Sequence, residues 1–148
     1  MKKFSSTLFL LLSIFSLAQC GKKENKQISN VAIFEIPSKQ IDKSIQFYEN
    51  IFGIKLLNVE FEGMKMAIFP TEDQQVTGVI IEAEGYEPSA NGVTIYLNAG
   101  KNLERTLDLI PKNGGKILIP KTPHADQNGF FAIFLDIDGN KLGLHSSD

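Results

Sequence analysis

The sequence predicts an α+β domain of two tandem βαβββ modules, their curved mixed sheets forming a cup. Three observations predict it. Stretches of alternating apolar and polar residues stand apart from two stretches with helical apolar spacing. The order strand, helix, strand, strand, strand occurs twice within 148 residues, and self-similarity of that kind organises a whole domain. One helix per module covers one face of its sheet, so the other face must meet the partner module or border a cavity.

In the first module, "NVAIFEIPS" sets Ala32, Phe34 and Ile36 against Val31, Ile33 and Glu35, the mark of a strand with one face in the core. "KQIDKSIQFYENIFG" then places Ile41, Ile45, Tyr48 and Phe52 at helical spacing, with Phe47 and Ile51 widening the stripe. Ser38 reads as the N-cap, Asp42 sits in the first turn, and Gly53 ends the helix. "IKLLNVEFE", "MKMAIFPTE" and "TGVIIEAEG" supply three strands, the first two joined at Glu62-Gly63.

The second module repeats the order. "GVTIYLNAG" is a strand, and "KNLERTLDLIPKNGG" a helix with Leu103, Leu107 and Ile110 inward. Pro111 is expected to end or kink it. "KILIPKTP", "FFAIFLDID" and "KLGLHSS" follow. Asp138-Gly139 reads as a hairpin turn. Calcium-loop spacing fails there, with Lys141 in place of the glycine and Ser147 in place of the bidentate glutamate. In the last strand Leu142 and Leu144 point one way and Lys141, Gly143 and His145 the other.

The first residues stand apart from this pattern. "MKKFSSTLFLLLSIFSLAQC" has two lysines, then an apolar run shorter than the roughly 20 residues of a membrane span. It has the form of a secretory signal peptide. "LAQC" resembles the lipobox of bacterial lipoproteins, with Gln19 in place of the usual small residue. The boundaries that follow are a signal peptide over 1–19, a lipidated polar tether over 20–28 and the folded domain over 29–148. Cys20, the single cysteine, would carry a diacylglycerol and an amide-linked acyl chain such as palmitate, since one chain alone anchors only marginally. The expected location is exported and lipid-anchored to the bacterial cell envelope, on a periplasmic or outer-membrane face. Loss of Lys2 and Lys3 takes the formal charge from −2 to about −4. A mildly acidic domain lacks the basic footprint of a nucleic-acid binder.

"FEIPSKQIDKSIQFYENIFGIKLL", "NGGKILIPKTP" and "GFFAIFLDIDGNKLGLHSS" resemble the vicinal oxygen chelate superfamily. It includes glyoxalase I, bleomycin-resistance proteins, fosfomycin-resistance enzymes and extradiol dioxygenases. The resemblance covers roughly Ser29 to Ser147 and implies the cup fold and a homodimer. It also implies positions for metal ligands, which here are Ile33, Thr94 or Ile95, and Gly143. Ile33 and Gly143 bring no side-chain donor and neither Thr94 nor Ile95 is an ordinary ligand for these metals, whereas a divalent site requires about three N or O ligands. No metal and no other cofactor is therefore expected, and glyoxalase chemistry is disfavoured.

Gly143 is then expected to leave room in the cup floor for an organic ligand or an aromatic side chain. Glu35 shares the face of Ile33 and His145 that of Gly143, so both are expected near the rim as polar contacts or an acid–base pair. Tyr96 and Phe130 are the expected aromatic lining. The reading is a membrane-anchored binder of a small molecule through Glu35, Tyr96, Phe130, Gly143 and His145. Two alternatives stay open: a metal-dependent lyase or isomerase using Glu35, His145 and His124, and an envelope scaffold. Whether any reaction is catalysed is undecided. His124 and Asp126 fall in "TPHADQNG", read as a loop between strands.

Overall fold

A computed structural model describes residues 30–71 and 76–147. The leader, Cys20 and the tether lie outside the described residues. The first module comprises β1 (Ile33–Pro37), α1 (Ile41–Phe52), β2 (Leu57–Phe61), β3 (Met64–Ile68) and β4 (Thr77–Glu82). The second comprises β5 (Tyr96–Asn98), α2 (Leu103–Lys112), β6 (Lys116–Pro123), β7 (Phe130–Leu135) and β8 (Lys141–Ser146). Strand order is β1-β4-β3-β2 in one sheet and β5-β8-β7-β6 in the other. In each module the first strand pairs in parallel with the last, and the remaining pairs are antiparallel. The expected βαβββ repeat is thus present twice, with β5 shorter than "GVTIYLNAG" suggested.

Alternation decides where the core lies. Ile36, Ala67 and Ile80 of the first sheet are buried in one cluster with Phe47, Tyr48 and Ile51 of α1. The same cluster takes in Leu103, Leu107 and Ile110 of α2 and Leu97, Ala132, Phe134, Leu142 and Leu144 of the second sheet. Phe47 stacks on Phe134 at 6.4 Å and packs edge-on to Tyr48 at 5.1 Å. The helix-covered faces of both sheets therefore share one core. The other faces, which carry Glu35 on β1 and Gly143 and His145 on β8, turn outward from it. The two modules form separate four-stranded sheets. Glu35 bonds Tyr86 and His145 lies at Asn128 and His124, so the two are not hydrogen-bonded to each other.

Local chemistry fixes α1. Gln40, not Ser38, is its N-cap, and no side chain of Gln40 caps it. Ser38 Oγ instead accepts the Gln40 N–H two residues on, at 3.2 Å, a local serine turn that sets up the helix start. The first-turn amide of Ile41 donates to the Glu82 carboxylate at 2.6 Å. Gly53 closes the other end at φ 68°, its N–H on Glu49 O at 2.8 Å. In α2, Asn102 caps the Arg105 amide at 2.9 Å. Pro111 neither ends nor breaks α2, because it falls in the last turn. Asn113 N–H still reaches Leu109 O and Ile110 O, both at 3.1 Å.

Candidate functional site

The outward face of the second sheet carries an aromatic row. Parallel pairing sets Tyr96 opposite Gly143. The tyrosine ring lies on the glycine: a Cβ there would fall 2.3 Å from Tyr96 Cδ1. An aromatic side chain thus fills the room left by Gly143, one of its two expected uses. Phe131 meets Tyr96 edge-on at 6.4 Å and faces His145 across the β7–β8 ladder. The His124 ring lies 5.0 Å from Phe131 and 5.2 Å from His145. His145 Nε2 stands 3.3 Å from Asn128 O. His124 Nε2 is buried with no hydrogen-bond partner among the described residues. Asp126 braces the same loop, accepting Asn128 N–H and Nδ2 at 3.1 and 2.9 Å, bonds that hold its carboxyl below the usual carboxylate range.

Phe130 is not part of this row. It shares the face of Ala132 and Phe134, packs against the core, and carries the Lys121 ammonium 4.1 Å above its ring. Alternation along β7 makes Phe131 the neighbour of Tyr96. Paired phenylalanines hide that choice in the sequence, since either could face inward.

The outward face of the first sheet is apolar over most of its width. Ile33, Leu57 and Phe61 are 60, 64 and 58 % exposed. Register places Met64, Met66, Ile68, Val79 and Ile81 on the same side. Glu35 is its main polar group. Its carboxylate accepts a hydrogen bond from Tyr86, in the connection between the modules, and that bond raises the Tyr86 phenol above its usual range. Tyr86 had no signal in the sequence, because it lies in an irregular segment. Phe34 repeats the ring-on-glycine device in this module, opposite Gly78, where a Cβ would fall 2.6 Å from Phe34 Cζ. There the ring lies on the core side.

A family metal does not fit these residues within one chain. An isoleucine at Ile33 and a glycine covered by Tyr96 at Gly143 offer no side-chain donor atom. No group of three or more His, Cys, Asp or Glu is placed to hold an ion among the described residues.

The model of the Glyoxalase/Bleomycin resistance protein/Dioxygenase superfamily matches residues 28–144. The chain belongs to this superfamily. Among relatives of this glyoxalase-superfamily chain is a glyoxylase-like domain-containing protein from Didymella fabae, 32 % identical over 122 residues, or 77 % of this chain and 88 % of the relative. Among solved structures, a glyoxylase/bleomycin resistance protein/dioxygenase domain from Frankia superposes with TM-score 0.63 at 17 % identity, covering 81 % of this chain and 98 % of the other. Glyoxalase I from Zea mays, as a point mutant, gives TM-score 0.62 at 23 % identity over 78 % of this chain. The chain spans 46 % of the maize protein. At these identities the structural likenesses establish the superfamily fold and no activity.

Proposed function

We propose that this chain binds a small organic molecule without a metal, on the outward aromatic face built around Tyr96 and Gly143. The observation that carries the reading is the Tyr96 ring seated on Gly143. At the position from which the resemblance would draw a metal ligand, the strand presents an aromatic surface. Tyr96, Phe131 and the imidazoles of His124 and His145 provide stacking area with a few polar ends, the usual make-up of a ligand site. A homodimer completes it in this reading: the apolar face of the first sheet in one copy covers the aromatic face of the second sheet in the other. The exposed Ile33, Leu57, Val59 and Phe61 of that face support a partner. The chain is exported and held to the cell envelope through lipidated Cys20, which labelled palmitate would mark in the wild type and not in Cys20→Ala.

The test of binding is to purify the protein, denature it and identify the organic molecules released. A molecule recovered at about one per chain from the wild type and lost from Phe131→Ala, a change in the aromatic row, supports the reading. Equal recovery from both overturns it.

A second reading, a metal-dependent lyase or isomerase, is favoured by one observation: the buried, unpartnered His124 Nε2 beside His145. A partner copy bringing Glu35 to this pair would supply a third donor.

A further inference from the structure

A cavity of about 600 Å³ lies between the two modules, and Tyr96 is among the residues that line it. Its volume is in the range of small-molecule sites. The floor is aromatic: Phe34, Phe52 and Phe69 line it, with Phe69 6.5 Å from Phe34 and 6.4 Å from Phe52. These rings come from the core side of the first module, and β5 and the start of α2 form the opposite wall. Lys101 and Arg105 are the charged residues of that wall, and no Asp or Glu is among the described residues lining the cavity. In a chain of formal charge −2, a polar rim with cations alone is a selective feature. The Arg105 guanidinium reaches across to the first module, 3.6 Å from where a Cβ on Gly53 would stand. Neither Lys101 nor Arg105 forms an ion pair among the described residues.

An aromatic trough with a cationic mouth matches an amphipathic anion. The apolar body would bury against the phenylalanines, and a carboxylate would take the forked donors of Arg105. We infer that this inter-module cavity binds a medium-chain carboxylic acid, its carboxylate on Arg105 and Lys101 and its chain on Phe34, Phe52 and Phe69. Tyr96 borders both this cavity and the outward face, whereas Phe131, His124 and His145 do not line the cavity, so Arg105 and His145 tell the two sites apart.

The test uses the full-length chain and a dansyl-labelled undecanoate, displaced by dodecanoate below its micelle concentration. Dodecanoate should displace the probe, and dodecylammonium of equal chain length should not. Arg105→Gln, a change at an exposed side chain, should weaken dodecanoate about tenfold or more. Ala99→Trp, which fills the cavity from the β5 wall, should abolish binding, while His145→Gln on the outward face should leave it unchanged. The inference is overturned if dodecylammonium competes equally, if dodecanoate does not bind, or if Arg105→Gln and Ala99→Trp bind as the wild type does. Loss in His145→Gln alone would move the ligand to the outward face and overturn it as well.

Discussion

Tyr48 Oη donates a 2.7 Å hydrogen bond to Asp136 Oδ2 across 88 positions of sequence. It joins α1 of the first module to the β7–β8 turn of the second, at the centre of the shared core. Asp136 also accepts Asn140 Nδ2 at 2.8 Å, and the amides of Asp138 and Asn140 at 2.9 Å each. The turn reaches further into the first module through Asn140 Nδ2 to Pro37 O at 2.7 Å and Ser44 Oγ to Asp138 at 2.5 Å. This polar node ties the two modules together.

Tyr48→Phe should cost about 1–3 kcal/mol, because it takes one donor from a buried carboxylate. The measurement is urea unfolding of wild type and variant. A loss near zero would show that the bond does not hold the modules.

The same node has a pH signature. Burial raises the Asp136 carboxyl above its ordinary range, against hydrogen bonds from Asn140 and Tyr48 that lower it in part. Burial, then the charge of Asp136, raises the Tyr48 phenol well above its own. A raised folded pKa means that the native state holds the proton more tightly. The Asp136 contribution is therefore full below the unfolded carboxylate pKa and is lost as pH rises through the folded value. The Tyr48 contribution is lost in the same direction at alkaline pH. Unfolding free energy followed upward from acid pH should fall more steeply in wild type than in Asp136→Asn.

Glu82 carries the opposite sign. The Ile41 amide, then Lys65, holds its carboxyl below the usual range. This contribution is present above the unfolded carboxylate pKa and is lost as pH falls through the folded one. Glu82→Ala removes the acceptor at the start of α1 and should cost about 1 kcal/mol. Lys65→Ala breaks only a partly exposed ion pair of 3.0 Å and should cost less, about 0–1 kcal/mol. Denaturant midpoints at neutral and acid pH separate the two, and equal losses would contradict the capping role.

Gly143→Ala drives a methyl group into the Tyr96 ring and should cost about 1–3 kcal/mol. In a Tyr96→Ala background the cost should shrink, a coupling that a double-mutant cycle reads directly. Additive losses would mean that the ring does not rest on the glycine in solution.

Local period made most of this fold legible. Leu142 and Leu144 against Gly143 and His145, the Gly53 helix end and the Asp138-Gly139 turn all follow from chemistry within a few residues. The relative placing of the modules does not. It is set by Phe47 on Phe134 and Tyr48 on Asp136, pairs far apart in sequence that no periodicity marks. Glu35 and His145 were expected as a pair, but Glu35 bonds Tyr86 and His145 lies beside His124. Phe130 was expected beside Tyr96, but the frame of β7 is fixed by the burial of Ala132 and Phe134. The N-cap shifted from Ser38 to Gln40 because Glu82, 41 positions from Ile41, supplies the capping oxygen.

A charge on the apolar outward face tests assembly. Leu57→Asp and Phe61→Lys should leave the core intact and convert a dimer to monomer in sedimentation velocity. Wild type sedimenting as a monomer at every concentration would contradict the proposed pairing.

The central claim is that the Tyr96 face binds an organic molecule without a cation, and elemental analysis of the purified protein tests it most directly. The account predicts zinc, nickel, manganese and iron far below one ion per chain, in protein that still carries its organic ligand. A stoichiometric divalent ion, lost on His124→Ala or His145→Ala, would contradict it.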